Sequence, residues 1–406
     1  MADTYLYRVR DARGSLLTGS IEADSPSGVV ARLRSMGYIP LSIERRAREG
    51  LKTEVKIPFI GNRVKLDELA VFSRQFATMI DSGLTLLRAL AILADQTENK
   101  VFAEALKEVR IDVEQGASLS QALSQHTKIF PVIYVAMVRS GEIGGSLDAS
   151  LTQLADTLEK QTALRRKIKS AMTYPVAVFI LVNVILTAML IFVVPAFKNI
   201  FNTLGGTLPT PTLILVKVSN SAVILIPMMI LSGIVGTYVF RRWIATPTGR
   251  SLWDAFKLRV PLFGKLVHLN SIARACRTLA ALTRAGVPLL ESLEITKETS
   301  GNVVVGRALA DVQEGVSGGE PIAKRLANHA VIPQMMAQMV SVGEESGAVD
   351  TMLEKVASFY ESRVEALVAS LSSLMEPLLI TFLGGVVGSM VIALYLPMFK
   401  VINLVK

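Results

Sequence analysis

Cysteine and histidine are scarce in this 406-residue sequence, and their scarcity excludes several kinds of site. Cys276 is the single cysteine, so no internal disulfide can form. The three histidines, His126, His268 and His329, lie far apart and make no metal-ligand spacing with one another or with Cys276. The sequence also lacks a Gly-x-x-x-x-Gly-Lys-Ser/Thr phosphate loop, which indicates that the chain does not itself hydrolyse nucleotide.

A catalytic constellation is also missing from the sequence. Residues 315–319 (GVSGG) match the Gly-x-Ser-x-Gly string of a nucleophile elbow, but that motif requires a strand before it and a helix after it. A helical pattern precedes it here, and residues 116–118 (GAS) take the same place in the first half of the chain. We interpret the string as a turn followed by a helix N-cap, and we predict that the protein is not an enzyme.

Charged residues are few: they make up 19% of the chain, against 51% hydrophobic residues and a mean hydropathy of +0.45. The apolar residues concentrate in three long runs, each able to cross roughly 30 Å of hydrocarbon at about 1.5 Å per residue. The sequence therefore predicts transmembrane helices at 171–194, 213–240 and 376–397.

Lysine and arginine are distributed unevenly about these helices. They are dense in residues 160–169 and at Arg241 and Arg242, and sparse in the predicted loop 195–212. Because cytoplasmic flanks carry the excess of positive charge, we predict a cytoplasmic N-terminus, an extracytoplasmic loop 195–212 and a cytoplasmic connector 241–267. The net charge of +9 is then explained by contact with the membrane lipid, and we expect no nucleic-acid partner.

The chain contains an internal repeat. Residues 141–147 (GEIGGSL) match residues 343–349 (GEESGAV) at an offset of 202 residues (343 − 141), and Pro131, Pro175 and Pro195 have partners at the same offset. Apolar stripes with helical spacing fill both copies, which predicts two cytoplasmic helical-bundle domains. The predicted fold is thus an all-α membrane protein with two repeated helical domains, three transmembrane helices and a small N-terminal α+β module. The boundaries of the remaining segments are 1–50 for the module, 51–65 for a linker, and 66–170 and 268–375 for the two helical domains.

Two glycine-glutamate segments are candidate turns or partner contacts. They comprise Gly141, Glu142 and Gly145 in the first copy and Gly343, Glu344 and Gly347 in the second. One interpretation is structural: each carboxylate accepts backbone N–H bonds near a helix N-terminus and holds the turn. The other is functional, either a partner contact or a divalent-cation site formed by Glu142 with Ser146 or Asp148. No other cofactor is expected.

Features of the long helices suggest how they pack and where they enter the membrane. Gly384 and Gly388 form a small-xxx-small pattern, which allows close approach between membrane helices. Pro175 and Pro377 lie where the first and third spans begin, and a proline there tends to bend a helix. A helix beginning at Leu147 is predicted to continue into the first span without a flexible break.

Three segments of the first copy resemble a known family. Residues 71–87 (VFSRQFATMIDSGLTLL), 140–147 (SGEIGGSL) and 172–175 (MTYP) are similar to motifs of the type II secretion F / PilC family. The resemblance extends over nearly the whole chain. The second copy departs from it: residues 275–280 (ACRTLA) replace the aromatic-rich FSRQFA, and Glu376 replaces the tyrosine that precedes the proline in the first copy.

The resemblance implies a platform protein in the bacterial inner membrane, at the base of a type IV pilus or type II secretion machine. Its implied partners are a cytoplasmic assembly ATPase, pilin or pseudopilin subunits, other inner-membrane assembly proteins and further copies of itself in a homo-oligomer. The resemblance also implies a calcium site among acidic residues, for which Glu142 is the matching position. Two alternatives from other classes are a small-solute transporter and a membrane-bound hydrolase. The absence of a catalytic constellation argues against the hydrolase, and the near absence of charge within the three spans argues against the transporter.

Overall fold

A computed structural model describes residues 3–10, 16–23, 26–45, 63–203, 209–261 and 263–402. The chain divides into two compact units, residues 1–62 and residues 63–406. Most of the predicted linker 51–65 lies outside the described residues.

The N-terminal unit is a three-stranded antiparallel sheet with one helix. Strands β1 (Asp3–Arg10), β2 (Leu16–Ala23) and β3 (Ile39–Arg45) are ordered β2-β1-β3. Helix α1 (Pro26–Ser35) precedes β3 and buries Val29 and Leu33. The predicted N-terminal α+β module is confirmed.

The first repeat is a bundle of five short helices and the start of a long one. In order these are α2 (Leu66–Asp81), α3 (Leu86–Gln96), α4 (Lys100–Glu114), α5 (Leu119–Ser124), α6 (Val132–Gly144) and α7 (Leu147–Ala188). Gly83 and Gly116 follow α2 and α4 with φ of 83° and 97°, a left-handed conformation that favours glycine at a helix end. Phe72, Phe102 and Phe130 pack ring against ring in the core.

A π-helical turn at Met189–Val193 joins α7 to α8 (Val194–Thr203), and α9 (Thr210–Ile244) and α10 (Pro247–Arg259) follow. The second repeat copies the order of the first. It consists of α11 (Phe263–Arg284), α12 (Leu289–Thr299), α13 (Val303–Ser317), α14 (Ile322–Ala327), α15 (Gln334–Ser346) and α16 (Val349–Ile402). The GVSGG string forms the end of α13 and the turn after it, at Gly319 with φ of 86°, so the predicted turn is confirmed. The predicted N-cap is wrong, because Ser317 is the last residue of α13 and Pro321 stands at the N-cap of α14.

Three helical stretches are long and apolar enough to cross a membrane: Leu147–Asn199, Leu225–Ile244 and Val349–Leu396. They confirm three spans, but the helices are longer than the predicted segments. The predicted span 171–194 comprises the end of α7, the π-helical turn and the first residue of α8, and the predicted span 376–397 lies within α16. No break separates either apolar run from the helix that precedes it. Span 213–240 is likewise extended at both ends in α9.

Two segments predicted as connections are largely helical. The predicted loop 195–212 contains most of α8 and the start of α9. The predicted connector 241–267 contains the end of α9, all of α10 and the start of α11. Pro247 is the first residue of α10, where a missing N–H breaks no hydrogen bond, so proline there starts a helix.

Each repeat has its own hydrophobic core, and residues of the second repeat complete that of the first. Ala281 and Leu282 of α11, Val287 of the turn that follows and Ile295 of α12 are buried in the cluster formed by the first repeat. The helical domains predicted as separate are therefore packed into one unit, and each covers apolar surface of the other.

Candidate functional site

The two predicted turn glutamates perform the same task in both repeats. Both oxygens of Glu142 accept N–H bonds from the first turn of α5, at 2.5 Å from Leu119 and 3.1 Å from Ser120. In the second repeat Glu344 accepts bonds of 2.7 and 3.0 Å from the first turn of α14. A carboxylate at this position satisfies donors that have no partner within their own helix, and it complements the positive end of the helix.

Each glutamate lies within a helix and not in the turn that the sequence suggested. Helix α6 continues to Gly144, and the turn is made by Gly145 with φ of 66°; Gly347 does the same after α15 with φ of 70°. The first glycine of each motif serves packing. A Cβ at Gly141 would lie 2.7 Å from the Cβ of Ser150, so only glycine lets α6 approach α7 this closely. Gly343 meets the backbone of Val349 in the same way.

The divalent-cation hypothesis at Glu142 stays a prediction. Both of its oxygens are occupied by backbone N–H groups, so a cation would have to displace those bonds. Within the described ranges, no group of three or more histidine, cysteine, aspartate or glutamate side chains is placed to hold a metal ion. The geometry therefore favours the structural interpretation of this carboxylate.

The long helices α7 and α16 run side by side in the same direction, and we call their contacts the inter-repeat seam. Lys160 pairs with Glu354 at 3.2 Å. About two helical turns further along α7, Lys167 pairs with Glu365 at 2.7 Å. Near the start of the apolar runs, the Ser372 hydroxyl donates to the Ala171 carbonyl at 3.2 Å.

The seam continues into the helical domains. The Ser140 hydroxyl donates to the Ala285 carbonyl at 2.6 Å, and the Gln153 amide donates to the Ala281 carbonyl at 2.9 Å. These bonds bind the first repeat to the end of α11. Contacts between the two repeats thus extend from α6 to the start of the apolar parts of α7 and α16.

Pro175 explains the hydrogen bond between Ser372 and Ala171 at the membrane end of the seam. Proline has no N–H, so the carbonyl four residues earlier, that of Ala171, loses its helical partner. The Ser372 hydroxyl of the other repeat donates to that carbonyl and shares its proton with the Val368 carbonyl of its own helix at 3.0 Å. Helix α7 is nevertheless continuous from Leu147 to Ala188, so the predicted unbroken helix from Leu147 into the first span is present.

An arginine bracket in each repeat ties its first helix to its long helix. Arg74 on α2 bonds Glu159 through two nitrogens at 2.7 Å and also bonds Asp156. Arg277 on α11 bonds the two oxygens of Glu361 at 2.9 and 2.6 Å. The hydrogen bond from Arg74 lowers the pKa of Glu159.

These brackets were missed at the level of sequence, although a signal exists. The arginines are 203 residues apart (277 − 74) and the glutamates 202 (361 − 159), which is the offset of the repeat. A charge pair preserved at both members of a repeat is a stronger indication of contact than either residue alone.

Glu354 forms ion pairs with both repeats. It pairs with Lys160 of the first repeat and, at 2.5 Å, with Arg284 of the second. Burial raises the pKa of Glu354, but the hydrogen bonds from Arg284 and Lys160 outweigh it, so the net pKa is lowered. The carboxylate is therefore held in its charged form between two repeats.

The glycines of the third span make no close approach within this chain. A Cβ added at Gly384 or Gly388 would meet no described atom within 4 Å. The predicted packing at these glycines therefore stays a prediction. Pro175 and Pro377 lie inside α7 and α16, where the predicted spans begin.

The sequence profile described as "Type II secretion system (T2SS), protein F" matches residues 72–195 and 275–397. The profile of the N-terminal domain of the same protein matches residues 1–44. The chain belongs to the type II secretion protein F family. The two matches to one profile begin 203 residues apart (275 − 72) and confirm the internal repeat.

Relatives within the family cover the full length of the chain. The Type IV pilus assembly protein PilC of Thermus thermophilus is 45% identical over 400 residues, 98% of each chain. The PilC protein of Myxococcus xanthus is 38% identical, over 99% of this chain and 96% of its own. The Type II secretion system protein F of Xanthomonas campestris is 32% identical over 98% of each chain. Relatives named for pilus assembly and for secretion are thus both similar to this chain.

Proposed function

We propose that this family member is an inner-membrane platform that couples a cytoplasmic assembly ATPase to the assembly of pilin or pseudopilin subunits into a fibre. The observation that carries the proposal is the continuity of α7 and α16, which pass from the helical domains into the apolar spans without a break. Helices of this kind transmit a tilt or rotation as rigid elements, and the seam makes them move together.

In this proposal the chain performs no chemistry. The names of the relatives refer to pilus assembly and secretion, and the sequence has no phosphate loop with which to hydrolyse nucleotide. Energy would come from the ATPase partner, and the helical domains would convert its movement into displacement of the spans. The N-terminus and both helical domains would lie in the cytoplasm, as the distribution of lysine and arginine predicts.

A flexible insertion tests the coupling. A Gly-Ser-Gly-Ser segment placed after Lys169 should leave the protein in the membrane and bound to the ATPase, yet abolish fibres on the cell surface, because glycine favours no helix. Fibre assembly at the normal rate would instead support a passive scaffold. Glu142→Gln separately tests a partner contact at that carboxylate, and its ATPase binding is compared at equal thermal stability, because glutamine can accept only one of the two α5 N–H bonds.

Orientation can be tested by cysteine labelling in whole cells. The native Cys276 is buried, so it should not react. A cysteine at Thr207 should label with an impermeant thiol reagent, whereas cysteines at the exposed Gln121 and Ser317 should not. Gln121 is a better position for the cysteine than its neighbour Ser120, because Ser120 is buried. Labelling at Gln121 in intact cells would reverse the proposed orientation.

A further inference from the structure

Both tryptophans of the chain lie in one aromatic cluster between α9 and α10. The Phe240 ring contacts Trp253 edge-on with centroids 4.9 Å apart and stacks on Trp243 at 6.0 Å. The Trp253 ring in turn stacks on Phe256 at 5.6 Å. Tryptophan is enriched at the membrane–water interface, where its apolar ring and polar N–H are both accommodated.

A tight turn holds α10 against the inner end of the second span. Only Ala245 and Thr246 separate α9 from α10, and the Thr246 hydroxyl caps α10 by accepting the Gly249 N–H at 3.1 Å. Gly249 lies so close to the Trp243 carbonyl that no other residue fits. Trp253 therefore packs beside Phe240, a full helical turn inside the end of the apolar stretch Leu225–Ile244.

One face of α10 is fixed to the second repeat and the other is free. Asp254 is only 3% exposed; its carboxylate accepts the Val303 N–H at 3.1 Å, and its carbonyl accepts from Asn302 at 3.1 Å. On the other side Leu252 and Phe256, one turn apart, are 58% and 55% exposed. Nothing in the described part of the chain covers these two side chains.

Positive charge borders the free apolar face. Arg241 and Arg242 lie in the last turn of α9, and Arg259 is exposed on α10, one helical turn from Phe256 and two from Leu252 on the same face. Asp254 is the only acidic residue between positions 241 and 259, and it is buried and paired with Lys257 at 2.8 Å. Within residues 241–259, the surface beside Leu252 and Phe256 therefore presents arginine and no exposed carboxylate.

We propose that α10 is an interfacial helix that lies in the headgroup layer of the same bilayer that α9 spans and binds anionic lipid. Leu252, Trp253 and Phe256 insert below the headgroups, and Arg241, Arg242 and Arg259 contact lipid phosphates. An apolar face bordered by arginine and containing tryptophan is the pattern of helices that lie on membranes. Basic residues next to a span are attracted to the anionic cytoplasmic leaflet. The two-residue connection to α9 keeps this face at the bilayer, which favours lipid over a diffusing protein partner.

The two native tryptophans make the proposal directly measurable. The full chain, and the variant Trp243→Phe in which Trp253 is the sole tryptophan, would be reconstituted in vesicles that contain brominated lipids. Bromine quenches tryptophan only at contact range. We expect lipid brominated close to the headgroup to quench Trp253 more strongly than lipid brominated near the chain end, and brominated phosphatidylglycerol to quench more strongly than brominated phosphatidylcholine at equal mole fraction.

A charge variant separates insertion from lipid choice. R259Q should reduce the preference for phosphatidylglycerol and keep the quenching by phosphatidylcholine, since the apolar residues are unchanged. Quenching of Trp253 by aqueous iodide and not by brominated lipid would overturn the proposal. Equal quenching by the two lipids in the unmodified arginine background would overturn the anionic selectivity. Lipid quenching that disappears as the protein-to-lipid ratio rises would show that a second copy covers the face, and would also overturn it.

Discussion

Replacing Arg277 by methionine should destabilise the protein far more than the same change at Arg74. Both arginines hold a glutamate of the long helix, but the Arg277 side chain is 9% exposed and the Arg74 side chain is 36% exposed. Breaking a buried pair leaves an uncompensated charge and costs about 3–5 kcal/mol. Glu361 retains some contact with water, so we expect about 3 kcal/mol for Arg277→Met. An exposed pair contributes about 0.2–1 kcal/mol, and we expect that range for Arg74→Met.

The assay is thermal unfolding of the full-length protein in one detergent, with the two variants measured side by side. Arg277→Met should lower the midpoint several times more than Arg74→Met. A double variant that replaces both Arg277 and Glu361 with apolar residues should recover part of the loss, because no buried charge is then left unpaired. Equal shifts for the two single variants would refute the reasoning, since burial would then not determine the contribution of the bracket.

Three further outcomes are expected. Ser372→Ala should lower the free energy of unfolding by about 1 kcal/mol in the native background but by little in a Pro175→Ala background, because the alanine at position 175 restores a helical N–H donor to the Ala171 carbonyl. Equal losses in the two backgrounds of this double-mutant cycle would count against the bond. The pKa of Glu354 is lowered from its ordinary value of 4.5, so its contribution to stability is complete above that value and is lost as the pH falls through the lowered pKa. Crosslinks across the seam should therefore weaken only in acid, and crosslinking that stays unchanged down to the pH of acid unfolding would exclude this role. Burial raises the pKa of Cys276 to about 12, so the native thiol should not react with a thiol reagent at pH 8 until the protein is denatured, and rapid native reaction would contradict its burial.

The architecture followed from patterns that act over short range or repeat along the chain. Apolar runs of about twenty residues can only be placed in a membrane or a large core, so three spans were predictable. The matches at an offset of 202 residues are present in the sequence itself, so the duplication was also predictable. Helix ends at Gly83 and Gly116 were predictable because each requires a positive φ.

Tertiary contacts account for what the sequence did not predict. Glu142 was assigned to a turn because glycines surround it, yet Gly141 is required for the approach of α7 and not for a turn. The side chains of Ala281 and Leu282 fit the apolar stripe of their own helix, so the sequence gives no sign that they complete the core of the other repeat. The seam joins residues about two hundred positions apart, beyond the range of any local pattern.

The most direct test of coupling through α7 compares two variants that differ only in backbone freedom. K169G/S170G and K169A/S170A remove the same exposed side chains, but each glycine costs about 1 kcal/mol of helix stability relative to alanine. The measurement is the number of surface fibres per cell at equal amounts of membrane-inserted protein. Coupling through a continuous helix predicts normal fibres with the alanine pair and a marked loss with the glycine pair. Equal fibre numbers in the two variants would contradict it.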